Sequence, residues 1–198
     1  NEICFPAGIL QPPMFDPQAD DAANYGAIGA VIGHELTHGF DDQGRKYDAD
    51  GNLRDWWTAE DTKEFEARTQ KLVDQYDGFI AIDTIHVNGR FTLGENLGDL
   101  GGVSLAYEAW RISLAGRPAP AAGDGFTPEQ RFFLSYAQVW RNLYRPELTR
   151  LQALTDEHSL PRWRVIGPLM NLPEFARAFG CGPGDPMVIA ADRRTEVW

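Results

Sequence analysis

Residues 31–40 read VIGHELTHGF. Three ionisable side chains, His34, Glu35 and His38, sit in a run of small and apolar residues that begins near Ala22. Burying such groups without partners is costly, so the fold must supply something that satisfies them. A buried helix over about residues 22–40 sets His34 and His38 on one face, about 5–6 Å apart at Cβ. That spacing lets two imidazoles grip one ion, and zinc is the usual occupant. Glu35 follows the first histidine, where its carboxylate can take a proton from a water that the metal has acidified toward a pKa of about 7. Gly26, Gly29 and Gly33 cost helix propensity. They make sense if a second element packs very close.

A catalytic zinc needs a third protein ligand and an open position. The pattern H-E-x-x-H-x-x-G-x-x-H is excluded, because its glycine and last histidine are replaced by Asp41 and Gly44. His86 lies beside Asn88-Gly89 in a hairpin pattern, where a surface or cross-strand role suits it. The stronger candidate is LGENLGDLGG, residues 93–102. Glu95 and Asp99 are i and i+4, so a second helix shows both carboxylates on one face. Glu95 can bind the ion, and Asp99 can accept the other N–H of a ligating histidine and fix its tautomer. Two solvated carboxylates are the alternative, but the adjacent glycines favour close packing against another helix.

The rest of the chain frames this pair of helices. Its 198 residues suffice for one substantial core. The 43% hydrophobic and 12% aromatic content excludes a disordered class. A net charge of -11 argues against a nucleic-acid backbone as partner. No apolar run approaches the roughly 20 residues of a membrane span. The two cysteines, Cys4 and Cys181, are too few for a disulfide scaffold and are expected to be free, buried thiols. The chain begins at Asn1 and no signal peptide is visible, so it reads as a piece of a longer protein whose targeting signals lie elsewhere.

Four prolines in residues 1–17 predict an extended lead-in. Thr58 with Asp61 predicts a capped helix from 58 to 76, Asn88-Gly89 a hairpin, and Leu93 to Leu114 a helix. Residues 115–125 read as a flexible connector. Thr127, Pro128 and Gln130 start a helix expected to reach Tyr144. Short helices are expected over 147–155 and 173–179, the second ending at Gly180. The expected fold is one domain over residues 1–198, mostly α with a small β component.

Longer stretches now acquire meaning together. VIGHELTHGFDDQGR, LGENLGDLGG, FPAGILQPP, FFLSYAQVW, YRPE, HSLPRWRVIGPLMNLPEFARAFGC and the terminal VW span the chain in one order. In these segments it resembles the neprilysin and endothelin-converting-enzyme family of zinc metallopeptidases. The resemblance implies a zincin-like catalytic domain of the gluzincin type, with a thermolysin-like active-site helix. It implies one Zn2+ held by His34, His38 and Glu95, with Glu35 as catalytic base and Asp99 supporting a ligand. It adds His158, in DEHSLP, as the group that stabilises the oxyanion, and Arg164, in RWRVIG, as the holder of a substrate carbonyl. It also implies an apolar substrate pocket from Ile9, Met14, Val31, Val139 and Trp140. The expected activity is endopeptidase cleavage of oligopeptides on the amino side of bulky apolar residues.

The chain departs from that family in two ways. Family enzymes are longer, with an amino-terminal lobe over the site and an Asn-Ala-x-Tyr segment that pairs with substrate; both are missing here. A zinc-containing, peptide-binding fragment with impaired catalysis is therefore the alternative reading. Animal members carry a cysteine three residues before the final Trp, where this chain has Thr195. The resemblance therefore points to a bacterial member, with periplasmic, secreted and cytoplasmic locations all open.

Overall fold

The computed structural model describes residues 2–117, 121 and 124–196. The 19-residue helix α3 and the 12-residue α5 show why the helices start where they do. Thr58 Oγ1 accepts the N–H of Asp61, whose carboxylate accepts the N–H of Thr58, and α3 (Ala59–Asp77) begins there. Thr127 and Gln130 make the same reciprocal pair at the start of α5 (Pro128–Val139), with Pro128 in its first turn. Each cap satisfies backbone N–H groups that the helix leaves unpaired.

The centre of the fold is α4 (Leu93–Ser113). Its Val103, Ala106 and Trp110 share a core with Phe132, Phe133 and Tyr136 of α5. Its Leu93, Leu97 and Leu100 share another with Phe65, Leu72, Val73 and Tyr76 of α3. Burying an aliphatic side chain such as Leu97 or Val103 contributes about 1.5–3 kcal/mol. A helix apolar on both sides therefore has to lie inside.

Against α4 lies a helical run: α1 (Asp21–Asn24), a π-helical turn (Tyr25–Gly29), α2 (Ala30–Thr37) and a 3-10 turn (His38–Phe40). The close approach expected from the glycines is met by glycines on both sides. A Cβ on Gly33 would come within 2.7 Å of the Gly102 carbonyl oxygen, and one on Gly102 within 2.5 Å of that of Ala30. The remaining elements are β1 (Ile80–Ile82), β2 (Ile85–His86), α6 (Pro146–Thr155), α7 (Pro161–Leu169) and α8 (Pro173–Phe179). Among the described residues, no helix is long and apolar enough to cross a membrane.

Several expectations are corrected. The antiparallel pairing of Ile80 with His86 and Ile82 with Ile85 turns at Asp83, whose φ is 53°, and not at Asn88-Gly89. Asn88 instead accepts the N–H groups of Phe91 and Thr92, leading into α4. Helix α5 stops at Val139, before Tyr144, because Trp140 leaves the helix and lies 3.9 Å under the Arg164 guanidinium. Helix α7 was not anticipated, since Pro161 and Pro168 hide its pattern. The lead-in holds a short 3-10 turn, Ala7–Ile9. Cys4 and Cys181 are free as expected, but neither is buried: Cys4 is exposed and Cys181 half-buried. Val197, Trp198 and most of residues 118–123 lie outside the described residues, so the terminal VW and part of the connector are not placed.

Candidate metal centre and active site

Helix α2 and the 3-10 turn that follows it aim the imidazoles of His34 and His38 at α4. His34 Nε2 and His38 Nε2 are 3.0 Å apart. Glu95 Oε2 lies 3.3 Å from His34 Nε2, and Glu95 Oε1 lies 3.5 Å from His38 Nε2. These three residues each direct a ligand atom to one shared point. The far nitrogens are anchored by carboxylates. His34 Nδ1 is 3.0 Å from Asp99 Oδ1, an ion-pair contact without good hydrogen-bond alignment. His38 Nδ1 donates to Asp41 Oδ2 at 2.8 Å. When a metal displaces their second protons, rings that keep the proton on Nδ1, beside these carboxylates, turn an Nε2 lone pair toward Glu95. Two imidazole nitrogens and a carboxylate oxygen suit zinc and leave a coordination position open.

Charge around the centre is predominantly negative. Burial disfavours charge on His34, but Asp99 and Glu95 beside it prevail and lift its pKa to about 9. The Asp41 carboxylate raises that of His38 against a smaller effect of burial. Glu95 is pushed up by burial, but His158 and His34 hold it well below the usual carboxylate range. A field that keeps protons on these rings also favours a metal cation in their place.

Arg164, on α7, is buried and forked onto Asp99. Its Nε donates to Oδ2 and its Nη2 to Oδ1, both at 2.8 Å. Burial opposes its charge, but the neighbouring Asp99 and Glu95 more than restore it. His158 follows α6 and presents Nε2 3.1 Å from Glu95 Oε2. Its Nδ1 pairs with Asp156 Oδ1 at 2.8 Å. Glu95 raises the pKa of His158, with burial opposing and Asp156 assisting.

A cavity of about 180 Å³ adjoins this centre. Met14, Val31, Val139 and Trp140 line it together with His34, Glu35, Asp99, His158 and Arg164. Ile9, expected with the apolar group, is not among the lining residues; it sits half-buried at the end of its 3-10 turn. Ala27, Ala30 and Tyr136 also line the cavity and were not anticipated.

Comparison with known proteins agrees with this architecture. The Peptidase family M13 description matches residues 1–195. The chain belongs to peptidase family M13. This M13 chain is 48% identical over 200 residues to an endothelin-converting enzyme homolog of Locusta migratoria, covering all of this chain and 27% of that protein. It is 46% identical to human endothelin-converting enzyme 1, covering all of this chain and 26% of that protein. Among solved structures, the Mycobacterium tuberculosis zinc metalloprotease Zmp1 in complex with inhibitor is similar, with a TM-score of 0.94 and 51% identity, over 98% of this chain and 30% of that one. PepO from Lactobacillus rhamnosis gives a TM-score of 0.85 at 36% identity, over 98% of this chain and 29% of that one. The M13 chain thus spans about a quarter of the length of the curated relatives it matches.

Two residues of the M13 site escaped sequence reasoning. Asp41 and Asp156 each hold the Nδ1 of a histidine only two or three positions away. The available signal was local: an aspartate that close to a candidate histidine, in a turn, can reach its ring. Among so many aspartates in loops, that signal does not stand out.

Proposed function

We propose that the protein containing this chain is a zinc-dependent endopeptidase that cleaves oligopeptides on the amino side of a bulky apolar residue. The observation that carries this reading is the position of Glu35. It lines the same cavity as His34, at the edge of a three-donor centre. Family membership and the names of the solved relatives support zinc as the ion. Zinc held by His34, His38 and Glu95 supplies Lewis acidity, acidifying a water and polarising a carbonyl.

Each side chain then has a task. Glu35 is exposed, so its carboxylate reaches solvent, takes the proton of the attacking water and passes it to the leaving amine. His158 Nε2 donates toward the carbonyl oxygen as negative charge develops there, while Asp156 keeps the ring turned. Arg164 commits Nε and Nη2 to Asp99, which leaves Nη1 for a substrate carbonyl. Met14, Val31, Val139 and Trp140 offer apolar walls to the side chain that follows the cleaved bond.

The test is Glu35→Gln in the full-length protein, with zinc content and oligopeptide hydrolysis measured together. The expected variant keeps its zinc and loses about 10²–10⁴-fold in hydrolysis. A variant that cleaves as fast as wild type contradicts the proposal.

A further inference from the structure

We propose that Asn96 and Ser159 are positioning residues for hydrolysis. The hydrogen bond between their side chains sets the loop that carries His158 against α4, and so places His158 Nε2 for the substrate carbonyl oxygen. This rests on the role proposed above for His158 and concerns how that ring is kept in place. Ser159 lies between α6 and α7 and is buried, whereas Glu157, two positions earlier, is exposed. Its Oγ donates to Asn96 Oδ1 at 2.7 Å. Asn96 is fully buried and follows Glu95 on α4. One bond therefore joins the residue after His158 to the residue after Glu95, beside the 3.1 Å approach of His158 Nε2 to Glu95 Oε2.

The bond has a fixed direction. Thr92 Oγ1 donates its one proton to the Asn88 carbonyl oxygen at 3.0 Å, so toward Asn96 it can only accept. Asn96 Nδ2 meets it at 2.9 Å. The amide is thereby turned with Oδ1 toward Ser159, whose hydroxyl has to donate. This polar chain runs through a part of α4 that packs Leu93, Leu97 and Leu100 against α3. A leucine with an alanine would fill such a place as well, because a buried neutral hydrogen bond adds little net stability over its desolvation cost. What the bond adds is direction: apolar surfaces slide past one another, and a hydrogen bond weakens steeply off its line. Asp156 does not supply this. It holds the His158 ring and N–H, but it sits on the same loop, so it turns the imidazole without fixing the loop against α4. Misplacing a catalytic group by about 1 Å can cost about 10²-fold in rate, and Asn96 is the partner on α4 that resists it.

The test measures kcat, KM and zinc content in the full-length protein and in its Ser159→Ala, His158→Ala and double variants, with one oligopeptide substrate throughout. His158→Ala is expected to lose about 10²–10³-fold in kcat. Ser159→Ala is expected to lose about tenfold in kcat, with KM within about twofold of wild type and zinc content unchanged. Added to His158→Ala, the same substitution is expected to change kcat by less than about twofold, because no imidazole remains to be misplaced. A substitution that only loosened the fold would lower kcat equally in both backgrounds. Undiminished kcat in Ser159→Ala, or an equal loss with and without His158, overturns the proposal. Failure of the reading beneath it is seen separately: a His158→Ala variant that hydrolyses as fast as wild type removes the role of His158, and the proposal with it.

Discussion

The side chain of His34 is 11% exposed and that of His38 is 30% exposed, although a single helical turn separates them. They are held by different means. His34 lies against α4, where a Cβ on Gly98 would come within 2.7 Å of its ring. Its Asp99 anchor is itself clamped by Arg164, so three distant stretches of chain fix one imidazole. His38 is held by Asp41, three residues on, whose other oxygen folds the loop by accepting the N–H groups of Gln43 and Gly44. One ligand is placed by tertiary packing and the other by a local turn. Damage to the core should therefore reach the metal through His34, and damage to the loop through His38.

The sharpest way to break this contrast is to remove the two anchors in turn. Asp99→Asn leaves the buried Arg164 without its carboxylate and is expected to cost about 3–5 kcal/mol of stability. Asp41→Asn keeps an oxygen for the loop and is expected to cost about 1 kcal/mol or less. Zinc affinity should fall about 10–100-fold in both. Denaturant unfolding beside zinc titration reads both quantities, and equal stability losses would dissolve the distinction.

Protons give a second handle. The pKa of His34 is raised to about 9, so zinc added to the stripped protein near neutral pH must displace a proton from that ring. The sign follows: apparent zinc affinity rises with pH until the ring is neutral, by up to about 1.4 kcal/mol per pH unit. Competition titrations between about pH 7 and 9 check this. A flat profile would mean that Asp99 and Glu95 do not hold a proton on His34.

The mildest perturbation compares two glycines. A Cβ on Gly102 meets the backbone of Ala30 and His34, so Gly102→Ala is expected to cost about 1–3 kcal/mol through overpacking. A Cβ on Gly39, beside His38, meets nothing within 4 Å. Gly39→Ala is expected to stay within about 0.5 kcal/mol of wild type. Thermal melts of the two variants settle whether only the His34 side is close-packed.

The same division explains what could be read in advance. The H-E-x-x-H and E-N-x-x-D spacings show two ligand-bearing helical faces because helical periodicity is local, and both helices form there. The glycines signalled their contact because only close approach justifies their cost. Asp41 and Asp156 were hidden, since a turn that brings a carboxylate back onto a nearby ring has no periodicity. The α7 helix was hidden by its own prolines, although Pro161 at a helix start is compatible with it. Without the family resemblance, His158 and Arg164 would have stayed anonymous, because each meets Glu95 only through tertiary contacts. Ile9, grouped with the apolar pocket by resemblance alone, is not among the residues that line this cavity.

Convergence of His34, His38 and Glu95 on one ion is tested most directly by X-ray absorption at the zinc edge, on the full-length protein and its His38→Ala variant. The expected wild-type spectrum shows imidazole nitrogen and carboxylate oxygen with no sulfur, and the variant binds zinc far more weakly. Sulfur around the ion, or a variant with unchanged zinc content and spectrum, would contradict the assignment.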